Sequence, residues 1–308
     1  MPWKLIQPEL DGTQLALRAD GQLQLKTRDE TCRFLGPQGR CLVHQTLGRQ
    51  PFGACCVFPV AFAQTPEGVD VALSPICDGT RRGIGPLLEH REEDLRERLI
   101  HGAPRRPNGF RLAPDLQISW EQFRDIEKGL CDILATQDVP LRRRLYLGCR
   151  LLGSLKEGEG IHVEQWLTEP PVAISTALRQ AIHEMLVRIL AWDRTVLRSL
   201  PKEIPADLFE KEARDPKILA GILQNTLFCK TYSYPYDLTT AHNFLIVVYV
   251  LALLMQESST APLTDAMWRE LGSLGVHGLL KSVLHEGVPE EFRNLFGTAQ
   301  FGMWMLCA

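Results

Sequence analysis

Residues 31–85 read TCRFLGPQGRCLVHQTLGRQPFGACCVFPVAFAQTPEGVDVALSPICDGTRRGIG, and the reading of the whole chain turns on them. The stretch holds Cys32, Cys41, Cys55, Cys56 and Cys77, five of the nine cysteines in 308 residues. Between them stand residues that reverse a backbone: Gly36-Pro37, Gly39, Gly48, Gly53, Pro59 and Pro66-Glu67-Gly68. A soft-metal site needs thiols from separate segments to point inward together, and a turn can aim a side chain in ways a continuous helix often cannot. The spacings are Cys32-x8-Cys41, x13 to Cys55 and x21 to Cys77, with Cys56 adjacent to Cys55. No CxxC pair occurs, so this is neither a zinc ribbon nor a ferredoxin run. Spacing alone leaves two readings open, metal ligands or small buried hydrophobes. The second suits Cys131, Cys149, Cys229 and Cys307, which all lie in apolar helical text.

Outward from this stretch the chain changes character. Residues 13–26, TQLALRADGQLQLK, alternate apolar and polar on both sides of Asp20-Gly21, which predicts a β-hairpin with a type I′ turn. A second hairpin is expected to join Val57–Gln64 to Val69–Leu73, with Pro59 making its first strand an edge or a bulged start. Leu87–Ile100 is charged with helical spacing, and the run to Pro114, which contains HGAPRRPNG, reads as a boundary. Beyond it Ser119-Trp-Glu-Gln122 is a capping box that opens a helix to about Thr136. Helical text continues over Val139–Leu155, Pro171–Leu200, Pro216–Lys230, Leu238–Gln256, Pro262–Leu274 and Pro289–Leu295. The expected fold is α+β, mostly α: a small cysteine-rich β-hairpin module over residues 1–100, then an all-helical domain over 115–308.

Hydrophobic content of 45% and charged content of 23% are those of an ordinary globular chain. A net charge of −3 argues against a dedicated nucleic-acid binder. The longest apolar run, Phe244–Met255, has twelve residues, short of the roughly 18–20 that span a bilayer, so a buried core helix and no membrane are expected. The start, MPWKLIQPELDG, has no apolar core of a secretory signal. A cytoplasmic, reducing setting follows as an expectation, and there clustered cysteines bind metal or do redox work more often than they pair.

Three sequence words carry a resemblance. They are C-x-F-L-x-x-x-G-x-C-x-V-H at Cys32–His44, C-x-x-F-P at Cys55–Pro59 and P-x-C-D-G-x-x-x-G-I-G at Pro75–Gly85. Together they resemble the YkgJ-type cysteine-cluster proteins, zinc- or iron-chelating domains, and within these the flagellin lysine N-methylases. Leu134–Leu155 and Leu223–Leu254 resemble helical segments of the same methylases. The resemblance implies an iron–sulfur cluster or zinc held by Cys32, Cys41, Cys55 and Cys77, with Cys56 a weaker fifth ligand. It also implies methyl transfer from S-adenosylmethionine to lysine side chains of a flagellin-like protein substrate. The chain departs from the family in lacking the earlier CxxCxxCC-like block before Cys32, and in having Val60 where an arginine often follows Phe-Pro. An in-frame block upstream of Met1 would restore the enzyme reading. Without it, a non-catalytic cluster with a structural or metal- or redox-sensing role is the alternative.

No Rossmann glycine turn, P-loop, HExxH or G-x-S-x-G is present, so a donor pocket would not follow the doubly wound design. The expected pocket lies where cluster and helices meet, under the Gly79–Gly85 turn, with Gly83, Arg144 and Tyr234 as cofactor-binding candidates. Arg144 is also the expected buried ion-pair partner within Arg142-Arg143-Arg144. His44, three residues after Cys41, is an alternative ligand, a donor behind one, or simply a hydrogen-bonded histidine.

Overall fold

The computed structural model describes residues 15–17, 23–25, 27–28, 31–32, most of 34–170, then 180, 182, 208, 211–228, 230, 237–257 and 297–307. Within 34–170 the residues left aside are 35, 37, 39, 49–52, 75–76, 82–83, 86 and 103. The fold is α+β and mostly α, with short antiparallel hairpins ahead of the helices. Contacts divide the chain into two units: Met1–Phe58 with Glu93–Gly102, and Pro59–Glu92 with Ala103–Ala308. Set beside a partition at 100 and 115, this grouping carries Pro59–Glu92 to the helical side.

In the first unit, β1 (Leu15–Leu17) pairs antiparallel with β2 (Leu23–Leu25), with Leu15 opposite Leu25 and Leu17 opposite Leu23. A two-residue type I′ turn at Asp20-Gly21 would set Leu17 opposite Gln24. The observed pairing is one residue out of that register, which faces the leucines of the two strands to one another, and the turn itself lies outside the described residues. β3 (Thr27–Arg28) pairs with β4 (Thr31–Cys32), placing Thr27 opposite Cys32. The chain then doubles back: the Gly36 N–H donates to Arg40 O at 2.8 Å, and the Leu42 N–H to Phe34 O at 2.8 Å. Helix α1 (Leu42–Leu47) stops at Gly48, whose φ of 67° is the left-handed cap conformation that a glycine adopts without strain. Helix α2 (Gly53–Val57) is a short turn. Among the described residues, Phe34, Val43 and Leu95 are the buried apolar side chains here.

In the second unit, β5 (Val60–Thr65) and β6 (Gly68–Leu73) form the expected hairpin around Pro66-Glu67, with Thr65 opposite Gly68. β5 starts three residues later than Val57 because Gly53–Val57 is helical. The single turn α3 (Asp78–Arg81) and a 3-10 turn, Leu88–Arg91, follow, and the latter runs into α4 (Glu92–His101). The proline-rich break is more ordered than its composition suggests. The Gln64 N–H reaches Arg105 O at 2.8 Å and the Arg105 N–H reaches Phe62 O at 2.9 Å, a parallel bridge onto β5. A small hairpin of β7 (Arg111–Ala113) and β8 (Leu116–Gln117) closes it.

Helix α5 (Trp120–Ala135) opens on the predicted capping box, with the Gln122 N–H on Ser119 Oγ at 3.2 Å and the Ser119 N–H on Gln122 Oε1 at 2.9 Å. Phe110, Trp120 and Phe123 cluster over its first turn, with ring centroids 5.0–5.9 Å apart. Helix α6 (Leu141–Glu157) follows, then α7 (Val163–Thr168) and helices Pro216–Phe228, Leu238–Glu257 and Ala299–Cys307. The expected helices over Pro171–Leu200, Pro262–Leu274 and Pro289–Leu295 lie outside the described residues, apart from residues 180 and 182.

The Leu238–Glu257 helix is the axis of this unit. Every residue from Leu238 to Gln256 is buried, including all of Phe244–Met255, as a helix apolar on every face requires. By length and composition it would cross a membrane, but its apolar surface is wholly covered by protein. Its first turn is tied by Asp237, which accepts from the Thr240 N–H at 2.8 Å, while Thr239 Oγ1 donates to Leu112 O at 2.7 Å. Next comes His242, whose Nε2 lies 2.8 Å from Leu145 O and so carries the proton in that bond. Full burial pushes this imidazole down to about 4, only partly offset by the bond to Leu145. The folded state therefore holds His242 neutral where the unfolded chain, titrating near 6.5, takes up a proton. Stability is unaffected above pH 6.5 and is lost as the pH falls from there to about 4. A loss of about 3 kcal/mol from this group alone is expected between pH 7 and pH 4. Urea melts at the two pH values check it, with His242→Gln losing less than wild type over the same interval.

Candidate functional site

Four of the five expected ligands fall in the first unit and come from three elements. Cys32 ends β4, Cys41 is the residue on which α1 begins, and Cys55 and Cys56 are consecutive in α2. None of the four is in a disulfide; Cys32 and Cys55 are exposed, Cys41 and Cys56 half-buried. Cys32, Cys41 and Cys56 each stand close enough to Cys55 to act on its thiol. The Cys55 thiol is held above its usual range by partial burial first, then by Cys32, Cys41 and Cys56 in turn.

Cys56 is fixed by a residue the sequence reading passed over. Arg98, on α4, donates from Nη1 to Cys56 O at 2.9 Å and to Phe58 O at 3.3 Å, while its Nε is held by Asp94 at 3.0 Å. This guanidinium joins the two stretches of chain that make up the first unit. It covers carbonyls at the end of α2, where a cation belongs. Its one sequence signal is the Asp94/Arg98 pair at i, i+4 in LLEHREEDLRERLI.

Cys77 belongs to the helical unit. It is half-buried just before α3, its N–H on Ser74 O at 3.1 Å. The Ile84 N–H closes the following turn onto Gly79 O at 2.8 Å. Gly83 and Tyr234 lie outside the described residues. His44 is exposed on α1. Among the described residues no three His, Cys, Asp or Glu side chains stand together at metal-ligand geometry. The donor set still fits a soft metal in kind, since four thiols share one neighbourhood and a cation would lower the cost of ionising them.

Arg144 is buried, as expected, but an ion-pair role is not what its geometry shows. Its guanidinium donates to Val139 O at 2.6 Å, Leu134 O at 2.9 Å and Gln137 O at 3.2 Å. It thereby satisfies carbonyls at the end of α5 and in the loop to α6, which have no intrahelical partners of their own.

The helical unit holds a buried charge cluster that the sequence reading missed. Lys230 is fully buried, its Nζ 2.7 Å from Asp70 Oδ2 on β6 and 2.9 Å from Glu127 Oε2 on α5. Burial works against the lysine's charge, but Glu127 and Asp70 outweigh it and raise its pKa. Burial pushes the Glu127 carboxyl up to about 7 against the pull of Lys230. One helical turn on, burial and then Glu127 push the Cys131 thiol up to about 12, an inert thiol in line with a structural cysteine. Glu127 falls on the same stripe as Phe123, Leu130 and Leu134, and a carboxylate on a core stripe was the available signal.

No family model matches the chain, and no curated protein or solved structure matches it either.

Proposed function

We propose that the first unit is a thiolate metal centre, binding zinc or an iron–sulfur cluster through Cys32, Cys41 and Cys55, with Cys56 beside them. The observation that supports this reading is the placing of Cys32, Cys41 and Cys56, from β4, α1 and α2, near enough to Cys55 to oppose its ionisation. A bound cation would reverse that opposition, because the thiolate is the ligand and metal binding releases its proton. Binding would also cross-link three short elements that bury few apolar side chains of their own, so metal affinity and folding of this unit are linked. The sequence words shared with flagellin lysine N-methylases extend the proposal to a reaction: methyl transfer from S-adenosylmethionine to a lysine side chain of a protein. Metal content of anaerobically purified protein, wild type against Cys41→Ser, tests the centre. The variant is expected to lose most of its metal and to melt earlier; equal metal and equal stability would refute the centre. Transfer of a labelled methyl group to flagellin by the metal-replete protein tests the reaction separately.

A further inference from the structure

The helical unit contains a cavity of about 340 Å³ that neither the thiols nor the central helix explains. Its floor is the start of α6, with Pro140, Arg142, Arg143 and Tyr146; Leu167 of α7, Leu306 of the C-terminal helix and Glu212 complete it. The volume is at the small end of the range for small-molecule sites, and the lining, mostly apolar with a few charged groups, is the composition such sites have.

The charges in it do not balance. Arg142 Nε lies 3.9 Å from Glu212 Oε1, and the other oxygen of Glu212 accepts from the Tyr249 hydroxyl at 3.3 Å. Arg143 is held differently. Its Nη2 donates to Trp166 O and to Glu169 O, the latter at 2.8 Å, and its guanidinium lies over the Tyr146 ring, 4.8 Å from the centroid. Among the described residues no carboxylate lies within ion-pairing distance of Arg143. Its half-buried guanidinium is therefore oriented by carbonyls and an aromatic face, with Nε and Nη1 left to meet what enters the cavity. Among the described residues of the lining, two guanidiniums stand against one carboxylate. The start of α6, where Pro140 offers no side-chain cap, adds potential of the same sign.

We propose that this cavity binds a small apolar monocarboxylate, its carboxylate on Arg143 and its hydrocarbon or aromatic body against Tyr146, Leu167 and Leu306. One negative charge answers Arg143. The fork of the guanidinium matches a carboxylate, and the apolar walls leave a second charge on the ligand without a partner.

The probe is octanoate, titrated calorimetrically into the full-length protein beside octanamide and octylamine, which share its chain and differ in charge. Octanoate should bind, with octanamide weaker by roughly tenfold or more and octylamine weaker still. Arg143→Gln should abolish the preference for the acid over the amide. Because Arg143 also covers carbonyls at the end of α7, a second variant guards the test: Leu306→Trp fills the cavity from the opposite wall and should remove octanoate binding while the protein stays folded. Acid and amide binding alike, the amine binding best, no binding by any of the three, or octanoate binding untouched by Leu306→Trp would each overturn the proposal.

Discussion

Replacing Lys230 by methionine is expected to destabilise the helical unit by about 3–5 kcal/mol, because it leaves Glu127 buried with no cation to answer its charge. Methionine keeps most of the apolar length of the side chain, so the loss is electrostatic more than steric. The Lys230 ammonium is shared by Glu127 at 2.9 Å and Asp70 at 2.7 Å, and it also reaches Phe228 O at 3.3 Å. Those bonds hold together β6, α5 and the end of the Pro216–Phe228 helix. Lys230 has a φ of 52°, a left-handed backbone uncommon outside glycine and asparagine, held by the surrounding contacts. Thermal melting should shift down by roughly 10 °C for a unit of this size. The double variant Lys230→Met with Glu127→Gln should recover part of the loss, since it removes the stranded charge. A double variant less stable than the single one would show that Glu127 does not depend on Lys230 in the way argued.

Gly302→Ala is the second large effect, and its sign is set by packing against propensity. In an open helix, alanine in place of glycine gains up to about 1 kcal/mol. Gly221, exposed with nothing near the position of an added Cβ, should show that gain. At Gly302 a Cβ would fall within 3.0 Å of side-chain atoms of Asn243, Cys149 and Ile246, all buried. The C-terminal helix lies this close to the Leu238–Glu257 helix because residue 302 has no side chain. Gly148 repeats the device on α6, where a Cβ would meet the His242 ring. Overpacking of this kind costs about 1–3 kcal/mol, so Gly302→Ala should destabilise by about that amount while Gly221→Ala stabilises. Chemical denaturation of the two variants side by side reads the contrast, and a stabilised Gly302→Ala would refute the close approach.

Local signals with a short range were legible in the sequence. The Ser119–Gln122 box, the Pro66-Glu67 hairpin, the pairing of the two leucine strands on either side of Asp20-Gly21 (though not their register) and the complete burial of Phe244–Met255 each follow from neighbours in the chain. Features made by distant partners were not legible. Arg105 pairs with β5 although it sits in proline-rich text, because strand pairing is settled by what lies alongside and not by composition. Lys230 looks like one more surface lysine until β6 and α5 supply its carboxylates, 160 and 103 residues away in sequence. Arg144 was legible as buried but not in its partners, since nothing local says that the carbonyls ending α5 would receive it. Of the candidate site, the cysteines announced themselves by type and density, and the grouping of four of them in one unit became visible only in three dimensions.

The most direct test is X-ray absorption at the metal edge on protein purified without oxygen and reconstituted with zinc. A thiolate centre should hold about one zinc per chain, with a first shell dominated by sulfur at about 2.3 Å. Serine at Cys32, Cys41 or Cys55 should each remove a sulfur from that shell, and Cys77→Ser shows whether the ligand set implied by resemblance extends to that residue. Zinc that fails to bind, or that binds through nitrogen and oxygen with a shell unchanged in all of these variants, would contradict a thiolate centre in the first unit.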